Sequence, residues 1–130
     1  MFRSGQARTT VLVADDFEDS RLVLRLMLEA SEYRVIEASD GREAVESVRR
    51  ERPDLVLMDL NMPHVDGLAA TKQIRECQDA CRDVPIVAVT AFDTYGMREA
   101  AMEAGCDDYV ARPFDLERLE SVLRRCLMGW

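Results

Sequence analysis

At 130 residues the chain is long enough for one domain with a real core, and 48% of it is hydrophobic. The net charge of −8 argues against general nucleic-acid binding, which needs a basic surface, and suits a protein that holds a cation or meets basic partners. No apolar run is long enough to cross a bilayer, and Met1 to Thr9 lack the apolar core of a signal peptide, so a soluble cytoplasmic protein is expected.

The first apolar run, Val11 to Ala14, reads as a buried strand ended by Asp15 and Asp16. Glu18, Asp19 and Ser20 supply capping oxygens and early acidic charge for a helix to about Ala30. Val23, Leu24, Met27 and Leu28 make its apolar stripe. Leu22 and Leu26 widen that stripe beyond what a surface helix needs, by broad core packing or as an exposed docking face for a partner helix. Arg34 to Ala38 form a second strand, and Ser39-Asp40-Gly41 opens a helix to about Glu51. Leu55 to Met58 form the third strand, ended by Asp59, and a loop punctuated by Pro63 and Gly67 follows. A helix over about Leu68 to Cys77 leads to a fourth strand, Ile86 to Val89, ended by Thr90. The next helix runs from about Tyr95 to Ala104 and stops at Gly105. The fifth strand is Asp108 to Ala111, followed by Arg112. The last helix begins near Asp115, with Leu116, Leu119, Val122, Leu123, Cys126 and Leu127 on one face.

Strand and helix alternate five times, which implies an α/β fold: a doubly wound five-stranded parallel sheet with helices on both faces. One common strand order is 2-1-3-4-5, the flavodoxin-like order. It sets the first and third strands side by side. Asp15, Asp16 and Asp59 then converge at the carboxyl edge, with Thr90 and Arg112 along the same edge.

Three carboxylates that close repel, and each would ionise at neutral pH. A hard divalent cation such as Mg²⁺ relieves the conflict, because it takes oxygen ligands and often one or two carboxylates plus a phosphate. A carboxylate can also attack phosphorus to give an aspartyl-phosphate, with the metal neutralising charge on the transferring group. Thr90 could donate to a phosphoryl oxygen and Arg112 could pair with another. Taken singly, Asp15 and Asp16 read as helix caps, Asp59 as a turn residue and Arg112 as a surface charge. Their shared place at the ends of four strands favours a site.

With these residues in hand, the chain resembles the receiver domain of the two-component response-regulator family. The matching pieces are Val13-Ala14-Asp15-Asp16, Met58-Asp59-Leu60-Asn61-Met62-Pro63, Asp66-Gly67, Val89-Thr90-Ala91, Tyr109 and Arg112-Pro113-Phe114. We expect a tail over residues 1–8 and the receiver over 9–130, stand-alone or excised, with no output domain in these residues. The resemblance implies that Asp59 accepts a phosphoryl group from a phosphohistidine on a histidine kinase or histidine phosphotransfer protein. It implies Mg²⁺ held by Asp15, Asp16, Asp59 and the backbone carbonyl of Asn61. It implies that Thr90 follows the phosphoryl group, that Tyr109 moves inward in response, and that the Arg112-Pro113 bond is cis. The action on phosphate is then self-directed, a transfer followed by hydrolysis. An unidentified downstream protein would read the switch, with no direct nucleic-acid or membrane binding, and a homodimer is an option.

Arg112 departs from the family pattern, which carries lysine there. A planar guanidinium and a compact ammonium are not equivalent at a tight site. The alternative is therefore a pseudo-receiver that signals without phosphorylation. Two further readings fit less well. A dehalogenase-type hydrolase would want Asp-x-Asp, but Asp59-Leu60-Asn61 lacks the second acid. A flavin carrier would want a Ser/Thr/Gly-rich loop where Asp15-Asp16-Phe17 stands. His64 reads as an exposed loop residue, Phe92 as either over the site or packed on its loop, and Trp130 as lightly packed. The four cysteines lack zinc-ligand spacing and read as structural thiols in a reducing compartment.

Overall fold

The strands form a single parallel sheet whose central members are short apolar runs with no polar face to show to water. In the computed structural model, which describes residues 8–62, 66–90 and 96–128, they are β1 (Thr10–Ala14), β2 (Arg34–Ala38), β3 (Leu55–Asp59), β4 (Ile86–Thr90) and β5 (Asp108–Ala111). The helices are α1 (Glu18–Ala30), α2 (Gly41–Glu51), α3 (Gly67–Arg75), α4 (Met97–Ala104) and α5 (Leu116–Met128). All pairings are parallel and the strand order is β2-β1-β3-β4-β5, as the alternation predicts. Among the described residues no helix is long and apolar enough to cross a membrane. His64, Phe92, Trp130, Tyr95 and residues 1–7 of the expected tail lie outside the described residues.

Alternate strand residues feed two cores. Leu12, Ala14, Val56, Met58, Ala88 and Tyr109 pack under α2, α3 and α4. Val11, Val13, Leu55, Leu57, Val87, Val89 and Val110 pack under α1 and α5. Every residue of β3 and β4 is buried, whereas the edge strand β2 exposes Arg34 and Glu37. This is why the central strands read as continuous apolar runs and β2 does not.

Local chemistry sets the helix ends. Asp40 accepts from the Glu43 amide at 2.8 Å while the Glu43 carboxylate accepts from the Ser39 amide, a reciprocal cap for α2. Asp66 caps α3 through the Ala69 amide at 2.8 Å. Gly105 closes α4 at φ +116°, a conformation that side chains resist.

Several expected details change. Ser20 does not cap α1: its hydroxyl donates to Asp15, and the capping position falls on Phe17, whose ring has no acceptor to offer. Val23 leaves the apolar stripe, being 55% exposed, and Leu22 and Leu26 are exposed too; Leu24 and Leu28 alone are fully buried in α1. Leu22 and Leu26 therefore stand outside the core, against the expectation of broad core packing. On α5, Leu116 lies outside the buried stripe of Leu119, Val122 and Leu123. Helix α3 ends at Arg75, two residues early, because the chain turns into a short 3-10 helix, Ala80–Asp83, that Asp79 caps.

Gly67 opens α3 directly against the end of β3. A Cβ there would collide with the Asp59 carbonyl oxygen and lie 2.7 Å from the Leu60 Cα. Those neighbours are backbone and cannot swing away. Gly67→Ala should therefore cost about 1–3 kcal/mol of stability, read as a lowered urea midpoint.

Candidate functional site

Parallel pairing levels the strand ends. Ala14 lies opposite Met58, Asp59 opposite Val89, and Thr90 opposite Ala111. The residues at or just past these ends, Asp15, Asp59, Thr90 and Arg112, share one edge. Asp15, Asp16 and Asp59 each present an oxygen, all within 4.8 Å of one another. Asp15 and Asp59 are buried, and Asp16 is exposed.

Asp15 is held on both oxygens. Its Oδ1 accepts from the Phe17 amide at 2.9 Å. Its Oδ2 accepts from Ser20 Oγ at 2.5 Å and from Arg112 Nη2 at 2.8 Å. Arg112 Nη2 also donates to Ser20 Oγ at 2.7 Å, so the three side chains form a closed triangle. Arg112 thus reaches Asp15 from the far side of the edge, while its own amide donates to the Thr90 carbonyl at 2.8 Å. The Arg112-Pro113 bond that directs this segment is cis.

Asp59 Oδ1 accepts from the Asn61 amide at 2.9 Å. The Asn61 side chain donates to Thr90 Oγ1 at 3.4 Å, and Thr90 is fully buried. Tyr109 lies in the core cluster opposite Ala88, so its ring is already inside rather than half-exposed. The sequence reading missed the tie of Ser20 to Asp15 and Arg112. Its signal was spacing: five residues past Asp15, Ser20 is in the first turn of α1, which starts beside that carboxylate.

Burial pushes the Asp59 carboxyl up to about 6, and the neighbouring Asp15 charge pushes the same way. The Asn61 amide and the Arg112 charge pull it back only in part. A buried acid facing a second acid is electrostatically unfinished. The donors are all oxygens, a set that fits Mg²⁺ or another hard divalent ion and not a thiolate-seeking metal.

This shift has a consequence for stability. Without divalent ions, the folded state binds the Asp59 proton more tightly than the unfolded chain, whose aspartates titrate near ~4. Stability should fall as pH rises from about 4 to about 6, then level off, with a contribution of about 3 kcal/mol from Asp59. Urea melts in chelator at several pH values should show this fall, and Asp59→Asn should remove it. Parallel pH profiles for the two proteins would contradict the assignment.

Comparison with known proteins agrees with this arrangement. The family model described as the response regulator receiver domain matches residues 11–124. The response regulator MprA of Mycolicibacterium vanbaalenii is 42% identical over 117 residues, which is 90% of this chain and 49% of that protein. The chain therefore spans about half the length of that relative. The polar-differentiation response regulator DivK of Brucella anthropi is 36% identical, over 91% of this chain and 95% of DivK. Among solved structures, the receiver domain of the sensor histidine kinase PA1611 from Pseudomonas aeruginosa superposes with a TM-score of 0.86 at 40% identity, covering 93% of this chain and 98% of that one. That structure carries a magnesium ion coordinated in its active-site cleft. The chemotaxis protein CheY4 of Vibrio cholerae also gives a TM-score of 0.86, at 30% identity over 93% of this chain and 100% of its own. The fold, the edge that gathers these acids and the matched length converge on one conclusion: the chain belongs to the response regulator receiver-domain family of two-component signalling.

Proposed function

We propose that this chain is a phosphorylation-controlled switch whose acceptor is Asp59, occupying residues 9–130 behind a short tail at 1–8. The observation that carries the reading is the buried Asp59 carboxylate at the end of β3, within 4.8 Å of Asp15 and Asp16. In the proposed step an Asp59 oxygen attacks the phosphorus of a phosphohistidine on a histidine kinase or phosphotransfer protein. The new P–O bond forms as the P–N bond breaks, and the ring nitrogen keeps the electron pair. Water later attacks the acyl phosphate and releases phosphate, which returns the carboxylate. The chemistry is self-directed, with no separate substrate turned over.

Asp15, Asp16, Asp59 and the Asn61 backbone carbonyl would hold Mg²⁺, which when bound offsets charge on the transferring group. The Mg²⁺ in the PA1611 receiver supports this reading. Thr90 donates its hydroxyl to a phosphoryl oxygen, and Arg112 pairs with another. Tyr109, two residues before Ala111 on the same strand, carries the change toward the surface. The exposed Leu22 and Leu26 form a docking face for the donor protein. A cytoplasmic location and an unidentified protein target complete the reading.

One observation favours the pseudo-receiver alternative. Arg112 Nη2 is already engaged by Asp15 and Ser20, so a phosphoryl contact made through that nitrogen displaces at least one of them. Such a contact costs what it replaces, so the shift it drives is smaller.

Two experiments decide between these readings. Incubation with an acyl-phosphate donor and Mg²⁺ should add the mass of one phosphoryl group to the intact chain. Asp59→Asn or a chelator should abolish the adduct. An unmodified wild-type chain would favour the pseudo-receiver. Second, Arg112→Lys should enlarge the NMR shift differences at Thr90 and Tyr109 on phosphorylation. Equal differences in both proteins would mean that arginine serves fully in that position.

A further inference from the structure

The opposite edge of the sheet carries a second chemical site. Past the end of α3 the chain makes a tight corner into the 3-10 helix Ala80–Asp83, and this corner brings Cys77 and Cys81 together. Both thiols are free, both side chains are largely buried, and Cys81 Sγ donates to Cys77 Sγ at 2.6 Å. Non-bonded heavy atoms normally rest about 3.5–4.0 Å apart. A disulfide bond is about 2.05 Å long, so the pair lies roughly half an ångström from bonding distance.

The surroundings divide the roles. The neighbouring Cys81 thiol, and next the Arg49 guanidinium on α2, lower the Cys77 pKa. Cys81 is pushed up to about 12 by burial and by Asp79 beside it. Asp79 is itself fixed, accepting from the Cys81 amide at 3.1 Å and pairing with Arg52 at 2.8 Å. Cys77 is therefore the nucleophile and Cys81 the resolving thiol. A surface cavity lined by Cys81, Ala80, Arg52, Pro53 and Val84 opens on the Cys81 side of the pair.

We propose that Cys77 and Cys81 form a reversible dithiol–disulfide couple, oxidised by a hydroperoxide and reset by a dithiol reductant. The Cys77 thiolate attacks the terminal oxygen of the hydroperoxide. An S–O bond forms, the O–O bond breaks, and the departing alkoxide takes from solvent the proton that Cys77 had given up. The Cys81 sulfur then attacks the Cys77 sulfenic sulfur. The S–S bond forms, the S–O bond breaks, and the leaving hydroxide takes the Cys81 proton as water. Two electrons pass from the thiol pair to the peroxide, and the products are one disulfide, one alcohol and one water. Cys77, Asp79 and Cys81 could also be read as a metal cluster, since their ligand atoms lie within 4.8 Å of one another. Sulfurs sharing a tetrahedral zinc at about 2.3 Å each would stand about 3.8 Å apart. The observed separation is far shorter and favours the covalent pair.

Trypsin reads the result directly, because cleavage after Arg75 and Arg82 releases Glu76–Arg82 with both cysteines on one peptide. Folded chain treated with stoichiometric hydrogen peroxide, then alkylated, should yield this peptide lighter by two hydrogens and unalkylated. Cys106 and Cys126, whose thiols burial pushes up, should remain fully alkylated. Dithiothreitol should restore both alkylation sites. Arg49→Ala should slow the conversion several-fold in a chain that melts like the wild type. Urea-unfolded chain should lose the preference for this pair over Cys106 and Cys126. Full alkylation of Cys77 and Cys81 after peroxide, or independent sulfinic acids on each, would overturn the proposal. So would zinc protection of both thiols with no disulfide formed.

Discussion

The adjacency of β1 and β3 in a parallel sheet is the constraint on which everything else rests. Because the strands run the same way, their carboxyl ends are level, and the acids that terminate them meet. Neighbouring strands stand about 4.8 Å apart, and the Asp15 and Asp59 oxygens come within 4.8 Å of each other at their ends. Burial and mutual repulsion then leave Asp59 reluctant to ionise. A site strained in this way favours a divalent cation and answers strongly to a change of charge. The same adjacency explains Gly67: α3 must start flush against the end of β3, and no side chain fits between them.

Arg112 responds to this field from a distance. Strand β5 lies three positions from β1, which is about 14 Å at the ordinary strand spacing. The side chain crosses that edge to the most buried carboxylate, Asp15, and not to a surface partner. One nitrogen of the fork, Nη2, donates to Asp15 and Ser20 together. The departure from lysine is thus matched by Ser20, which sits where one guanidinium nitrogen can reach both oxygens. The cation is thus already engaged within the chain itself.

The two ends of α3 separate two kinds of chemistry. Its first residue abuts Asp59 at the carboxyl edge, and its last turn leads to the Cys77–Cys81 corner at the opposite edge. Oxygen donors and a raised carboxyl mark one end; sulfur, Arg49 and Arg52 mark the other. Helix α1 adds a third surface. Phe17, Leu22, Val23 and Leu26 are exposed, and Val23 lines a groove with Met27, Arg112 and Phe114.

Local sequence patterns determined much of this molecule. The apolar runs ended by Asp15, Asp59, Thr90 and Arg112 were enough to name the central strands, their parallel direction and the edge where polar groups gather, while the order 2-1-3-4-5 came from the common arrangement of such folds. The acceptor and metal roles of those residues came from chemistry and family resemblance, and they stand as proposals. Tertiary structure alone decided which of several feasible partners each side chain takes. Ser20 looked like a cap, yet its hydroxyl turns to Asp15 because Arg112 arrives there from a strand 92 residues later. Val23 looked like core, yet the sheet offers α1 room for little more than Leu24 and Leu28. Cys77 and Cys81 looked like unrelated thiols at a spacing that fits no zinc motif. The corner between α3 and the 3-10 helix brings them into contact. Burial is written into local composition, but a polar group's partner depends on where distant segments end, and only the folded chain sets that.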